Sequence, residues 1–331
     1  MRVLVVTNMT PDAGAPARGR FVRDQVEALR RAEVDVELYS FPVGSRQYPR
    51  ATRVIRRLLR ADGFDLVHAH YGLAGWCASL AGARPLIVTF HGTDVRHPIA
   101  GPLSRRLAPR LDLVAGVSRA LFGPESGRRG LPAPDGASAV LPCGVDLDGF
   151  QPSPRGEARD RLGLDAGGRY LLFPASPERP VKRHDRAAQV ARLADAELLT
   201  GGRIEAERMV DWINAANAVL VPSDNEGFGL AAVEALACDV PVLSTPVGIA
   251  PTLLRGIDGC LVEPFDAGRW ATVARAHLDD PESRIAGRDR AGWFSAQLMA
   301  DRVLVAYREL LAHPAEEDSH RERQRPPQPQ T

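Results

Sequence analysis

Lysine is nearly missing from this chain. Of its 42 basic residues one is a lysine, Lys182, and the rest are arginine. A sequence so rich in Ala, Arg, Gly and Pro carries its genome's bias, so the scarcity alone assigns nothing. Cysteine is also sparse. Cys77, Cys143, Cys238 and Cys260 stand singly with no CxxC pair, which argues against a zinc site and against the disulfide framework of a secreted domain. No apolar run approaches the roughly 20 residues needed to span a bilayer. The opening MRVLVVTNMTPD turns polar after a short apolar stretch, so it reads as a first β-strand rather than a signal peptide. A net charge of +1 gives no reason to expect a nucleic-acid partner. A cytoplasmic enzyme fits these absences.

What is present is an alternation of strands and helices over a length that suits two domains. Strands are expected at Val3–Thr7, Val34–Tyr39, Leu66–Ala69, Leu86–Phe90, Leu113–Val117 and Ala139–Pro142. Helices are expected around 20–32, 50–61, 73–82, 102–108 and 118–123. A Pro/Gly/charge-rich link, 144–168, precedes a second series. Its strands are 170–174, 196–200, 218–222, 240–244 and 259–262, with helices around 182–194, 206–215, 229–237 and 266–278. This pattern is α/β: two Rossmann-like domains facing across a cleft, 1–150 and 151–292. Residues 293–313 are expected to form a last helix, and 314–331 hold no apolar residue larger than an alanine and read as a disordered tail. The halves differ in charge, +6 for 1–150 and −5 for 151–331. A dinucleotide enzyme is the obvious rival, but NMTPDAGAPARGRF after the first strand lacks the GxGxxG spacing that admits a pyrophosphate.

The most informative stretch is SDNEGFGLAAVEALACDVPV (223–242). Glu226-Gly227-Phe228-Gly229 follows a strand and opens a helix, where free N–H groups and the helix dipole favour a phosphate. Glu234 lies two turns further on and can present its carboxylate on the loop's side. Carboxylates beside a phosphate cradle suit a nucleotide sugar, from whose hydroxyls they can accept hydrogen bonds. The plain alternative is a buried α/β unit whose glycines only permit a tight turn. His91 ends a strand in VTFHGTD, at the carboxyl edge where open sheets bind ligands. His68, His70, Asp94 and His97 raise the question of a metal cluster, but they are expected on separate strand-end loops. Asp146-Leu-Asp148 has the form of a metal-binding DxD but lies in VDLDGF.

The 223–242 segment resembles the Glu-x7-Glu motif of retaining glycosyltransferases of family 4, which have the GT-B fold. GRFVRDQVEAL (19–29), DLVHAHYGLAG (65–75), VTFHGTDV (88–95), VLPCGVDLDGF (140–150) and PVKRHDRA (180–187) match in order, over residues 1 to about 310. The resemblance implies transfer of a sugar from a UDP- or GDP-sugar to a hydroxyl acceptor, with no metal or other cofactor. It places Glu226 on the donor sugar, the amides of Gly227, Phe228 and Gly229 at the donor diphosphate, and Glu234 on the ribose. Lys182, with Arg179 standing in for an arginine that the family often has where Ser176 lies, would hold the diphosphate. His91 would sit at the donor sugar, Gly19 and Arg20 at the donor phosphates and acceptor, and Arg203 and Ile204 at the base. The last helix would pack back onto the first domain.

Departures accompany the match. Asp239 stands where the family has glycine, Thr252 replaces a frequent glutamate, and a strand–helix unit between Lys182 and Ser223 is missing, so the second domain is expected to be shortened. The helix RATRVIRRLLR (50–60) has an arginine arc opposite an apolar one. It is either an ordinary helix lying on the sheet or a peripheral contact at the inner membrane face. Two other functions stay open: a non-catalytic sugar-nucleotide binder, and a GT-B isomerase acting on the UDP-sugar itself.

Overall fold

Valine, leucine and isoleucine run through VLVV (3–6) and LIVTF (86–90) without polar alternation, as a parallel sheet covered on both faces requires. A computed structural model of the protein describes residues 1–11, 18–122, 130–131, 138–202, 204–280 and 283–312. The first half runs β1 (Arg2–Thr7), α1 (Arg20–Arg31), β2 (Asp35–Ser40), α2 (Gln47–Ala61), β3 (Leu66–His70), α3 (Gly72–Ala81), β4 (Leu86–Phe90), α4 (Thr93–Arg96), α5 (Ala100–Leu107), β5 (Leu113–Gly116) and β6 (Ser138–Val140). The second begins with α6 (Arg155–Leu162), β7 (Tyr170–Phe173), α7 (His184–Ala194), β8 (Glu197–Thr200), α8 (Met209–Ala215) and β9 (Ala218–Val221). It continues through α9 (Leu230–Ala237), β10 (Val242–Ser244), α10 (Ala250–Leu253), β11 (Leu261–Val262), α11 (Ala267–Leu278), α12 (Arg288–Gly292) and α13 (Ala296–Ala312).

Among the described residues these strands form two parallel sheets, ordered β2-β1-β3-β4-β5-β6 and β11-β10-β9-β7-β8. The second is short, and β8 forms its edge directly after α7. In both, the order reverses beside the first strand of the half, which opens a crevice at the carboxyl ends. Helix α1 presents Val22, Gln25, Val26 and Leu29 to the core at helical spacing, so one polar residue sits within the apolar stripe. Helix α13 packs against α1, placing Met299, Val303 and Tyr307 in the core with Val3, Val5 and Leu29. Helix α2 buries Ala51 and Ile55 and packs on α3, with Arg53, Arg57 and Arg60 exposed. None of the helices in the described residues is long and apolar enough to cross a membrane.

The segment 144–168 is not simply a link. It contains α6, whose buried face carries arginines rather than an apolar stripe. Arg159 donates to Ala215 O (3.1 Å), Ala166 O (2.5 Å) and Asn217 Oδ1 (2.9 Å), and its guanidinium lies over Tyr170. Arg155 donates to Ser283 O at 2.7 Å. The helix expected at 118–123 is a single 3-10 turn, Arg119–Leu121. Asp239 takes a left-handed conformation (φ 54) that suits glycine, the residue the resemblance leads one to expect there. Its Oδ1 offsets the strain by accepting from the backbone N–H groups of Gly287 (2.9 Å) and Arg288 (2.8 Å), at the start of α12.

Replacing Arg159 by leucine strips buried carbonyls of their donor, at roughly 1–3 kcal/mol each. Arg159→Leu is therefore expected to lower stability by about 3 kcal/mol, read as a drop in the urea midpoint. An unchanged midpoint would show that α6 is held by something else.

Candidate functional site

The chain leaves β9 at Val221 and crosses Ser223–Gly229 before entering α9. Glu226 lies at the middle of this crossing, and both its oxygens are 2.6 Å from Lys182 Nζ. Ser223 Oγ donates to Oε1 at 2.8 Å. Lys182 closes the 3-10 turn Pro180–Lys182, and the N–H of Asp224 anchors that turn on Val181 O at 2.9 Å. Arg183 and Arg186 bind Asp224, at 3.2 and 2.9 Å. The lone lysine and the first glutamate of the motif are thus one ion pair, with 15% and 11% of their side chains exposed.

The two halves meet at this loop. Any Cβ on Gly227 would run into the backbone carbonyl of His91, and one on Gly92 into Gly227 Cα, so only glycines permit this approach. Ser118 Oγ donates to Gly227 O at 2.7 Å. Arg96, at the end of α4, reaches Asn225 Oδ1 at 2.5 Å and Glu226 O at 3.4 Å. Phe228 is buried against Phe294, and Gly229 enters α9 with φ 104.

His91 lies between Phe21 and Tyr71, with ring centroids 4.6 Å from each. Its Nε2 is 3.0 Å from His70 Nδ1. Tyr71 holds φ 75, an unusual conformation for a residue with a side chain, beside the site. His68 and His70 are not on separate loops: as alternate residues of β3 they share a face and stack at 4.5 Å. His97 is exposed on the loop after α4. Burial holds His68, His70 and His91 below the usual histidine range, His70 at about 3, so all three are neutral near pH 7. Asp94 is pushed up to about 6 by burial, although its carboxylate accepts from the N–H of Gly72 and His91. Asp146 Oδ1 accepts from Asp148 N at 3.0 Å, a local turn.

At the mouth of α1, Gly19 (φ 69) packs against Met9 O, where a Cβ would not fit. Arg20 follows at the first helical position. It pairs with Asp24 at 3.5 Å and reaches Glu234 Oε1 of α9 at 4.0 Å, joining the two halves again. Burial pushes Glu234 up to about 7, against the pull of Arg20, and Asp24 up to about 6. Arg179 is exposed just before the Lys182 turn, near enough to Tyr71 for its charge to act on the phenol. Ile204 lines a cavity of about 850 Å³ with Ser176, Thr200, Gly201 and Trp212; Arg203 lies outside the described residues. A second cavity of about 710 Å³ lies on the seam and is lined by Arg96, Arg119, Asn225, Glu226 and Thr252.

Residues 2–148 match the model of Glycosyltransferase Family 4, and 171–280 match Glycosyl transferases group 1. D-inositol 3-phosphate glycosyltransferase 1 of Catenulispora acidiphila is 34% identical over 77% of this chain and 74% of its own. The chain belongs to glycosyltransferase family 4. Among other relatives, the D-inositol 3-phosphate glycosyltransferase of Thermobispora bispora is 31% identical over 86% of this chain and 78% of its own. The fold of this family 4 enzyme is GT-B. Sucrose-phosphate synthase from Thermosynechococcus elongatus superposes with a TM-score of 0.76 at 20% identity, covering 94% of this chain and 100% of that one. HepE from Anabaena, solved with UDP and glucose, gives 0.70 at 17%, with the same coverage.

The motifs quoted from the sequence converge in the family 4 enzyme: Gly19 and Arg20, His91, Lys182 and the two glutamates all border one seam. Arg96, Ser118, Ser223 and Gln25 escaped notice. Only the alternation in His68-Ala69-His70 carried a signal for the buried histidines, since it puts both rings on one face.

A carboxyl whose folded pKa is raised binds, in the native state, a proton that the unfolded chain has released. Stability then falls as pH climbs from the ordinary 4.5 of a glutamate toward the 7 of Glu234. Glu234→Gln removes that dependence. Urea unfolding at about pH 5 and about pH 8 should show the variant gaining on the wild type at the higher pH. An equal difference at both would mean that Glu234 is not a strained, buried acid.

Proposed function

We propose that this glycosyltransferase moves a sugar from a nucleoside-diphosphate sugar to an acceptor hydroxyl with retention of configuration. The observation that carries the reading is the Lys182–Glu226 pair, held on the seam against His91 and the Gly227–Gly229 turn. In the free protein each group satisfies the other. A bound donor gives both a better use: the diphosphate takes the ammonium, a compact point charge, and the sugar hydroxyls take the carboxylate. Arg179 and the amides from Gly227 to Gly229 add donors at the phosphates. Glu234 takes the ribose hydroxyls, and Arg20 faces the phosphates from the other half.

Negative charge grows on the diphosphate as the glycosidic bond breaks, so cations and amides fixed there act where preorganisation counts most. A neutral His91 offers a hydrogen bond rather than a charge. The acceptor attacks from the face the diphosphate leaves, and the departing phosphate oxygen takes the acceptor's proton. No protein nucleophile and no metal ion enter this scheme. HepE has been solved with UDP-glucose, which makes UDP-sugars the first donors to try, with the base in the cavity beside Ile204. The relatives' names make inositol phosphate the first acceptor to try, and Arg119, exposed at the seam cavity without an ion pair among the described residues, suits an anionic acceptor.

Transfer, donor hydrolysis and nucleotide affinity, all measured in EDTA, test the reading together. Lys182→Ala should weaken nucleoside diphosphate by roughly 1.5–3 kcal/mol, about 10- to 150-fold. Glu226→Gln frees the ammonium from its partner, so it should leave nucleotide affinity equal or tighter while kcat collapses. Tight binding without turnover in the wild type would favour the non-catalytic binder, and a new isomer formed without acceptor would favour the isomerase. Equal loss of nucleotide in both variants would refute the division of roles.

A further inference from the structure

Behind His91 lies a buried polar chain that the transfer reaction as read above does not use. Gln25, the polar member of α1's core stripe, turns its amide nitrogen toward two rings, 3.4 Å from His70 Nε2 and 3.5 Å from His68 Nδ1. Tyr307 of α13 brings its hydroxyl 2.7 Å from His68 Nδ1, and Thr89 Oγ1 is 2.7 Å from His68 Nε2. Gln25, His68, His70, Thr89 and Tyr307 are all at least nine-tenths buried, so each contact must match a donor to an acceptor.

The proton inventory then closes. An amide nitrogen only donates, so with the Gln25 amide in this orientation His70 Nε2 accepts and its one ring proton lies on Nδ1. That proton points along the 3.0 Å contact to His91 Nε2, which accepts in turn. A neutral His91 must then carry its proton on Nδ1, the one polar ring atom without a partner among the described residues. His68 accepts at Nδ1 from Tyr307, held as a phenol by burial, and donates from Nε2 to Thr89.

We infer that Gln25 and His70 are positioning residues that lock His91 in the Nδ1–H tautomer, so that it donates a hydrogen bond to the donor substrate. The role of His91 rests on the proposed function; the tautomer does not. The device explains a glutamine in an apolar stripe: reversing its amide would reverse every proton back to His91. A donor fixed by the fold costs no reorganisation as charge moves onto the donor's oxygens.

Long-range proton–nitrogen correlation spectra of histidine-labelled free protein test this directly. Expected are His91 and His70 protonated at Nδ1 and His68 at Nε2. Gln25→Glu supplies an acceptor instead, and should move the His91 proton to Nε2 while kcat falls about tenfold or more and nucleoside diphosphate affinity holds. Gln25→Leu, with neither, should leave mixed tautomers and an intermediate kcat. The wild-type spectrum needs no variant to fold, and a His91 protonated on Nε2 there overturns the relay. The expected tautomers with kcat untouched in Gln25→Glu overturn the hydrogen bond from His91 to the donor, without touching Lys182 or Glu226.

Discussion

Two glycines touching across the seam set the rest of the site. Gly92 and Gly227 bring a loop of the first sheet and a loop of the second to backbone contact, where no side chain has room. Interfaces between domains of this size are usually loose and polar; here Ser118 on Gly227 O, Arg96 on Asn225 and Arg20 near Glu234 pin the loops beside the site, and Arg288 on Leu147 O and Phe150 O also joins the halves. Because the approach is backbone to backbone, it fixes Glu226 relative to His91 without depending on any long side chain. Lys182 then follows Glu226, since the two loops that carry them are tied at Val181 and Asp224.

Charge follows the same layout. Each glutamate of the motif meets one cation, Glu226 a lysine from its own half and Glu234 an arginine from the other. A carboxylate buried without a partner is costly, and a paired one much less so. On the proposed reading, the donor brings its own anion for the cations and its own hydroxyls for the carboxylates, so binding exchanges partners instead of stranding charges. The weaker pair shows the tension. At 4.0 Å Arg20 does not offset the burial of Glu234, whose carboxyl rises to about 7.

Much of this was legible in the sequence, and the reasons differ by element. The strands could be read because parallel strands buried on both faces show as unbroken apolar runs, as Leu86–Phe90 did to the residue. The glycine turn before α9 could be read because its chemistry is local. Helix α6 could not, because its buried face is built from Arg155 and Arg159, which look like surface residues until their carbonyl partners are seen. Arg96 and Ser118 were equally hidden, since their partners lie 129 and 109 positions away. The pairing of Lys182 with Glu226 spans 44 positions and two loops, and a reading by motif assigns the two residues to different parts of the ligand without bringing them together.

The central claim is that the Lys182–Glu226 pair opens for the donor, the lysine going to the diphosphate and the glutamate to the sugar. A crystal structure with a non-transferable UDP-sugar, or with the GDP-sugar if that binds better, tests it most directly. The account predicts Lys182 Nζ within hydrogen-bonding distance of a diphosphate oxygen, Glu226 on the sugar hydroxyls and Glu234 on the ribose. A donor seated in the cleft with Lys182 and Glu226 still bound to each other would contradict it.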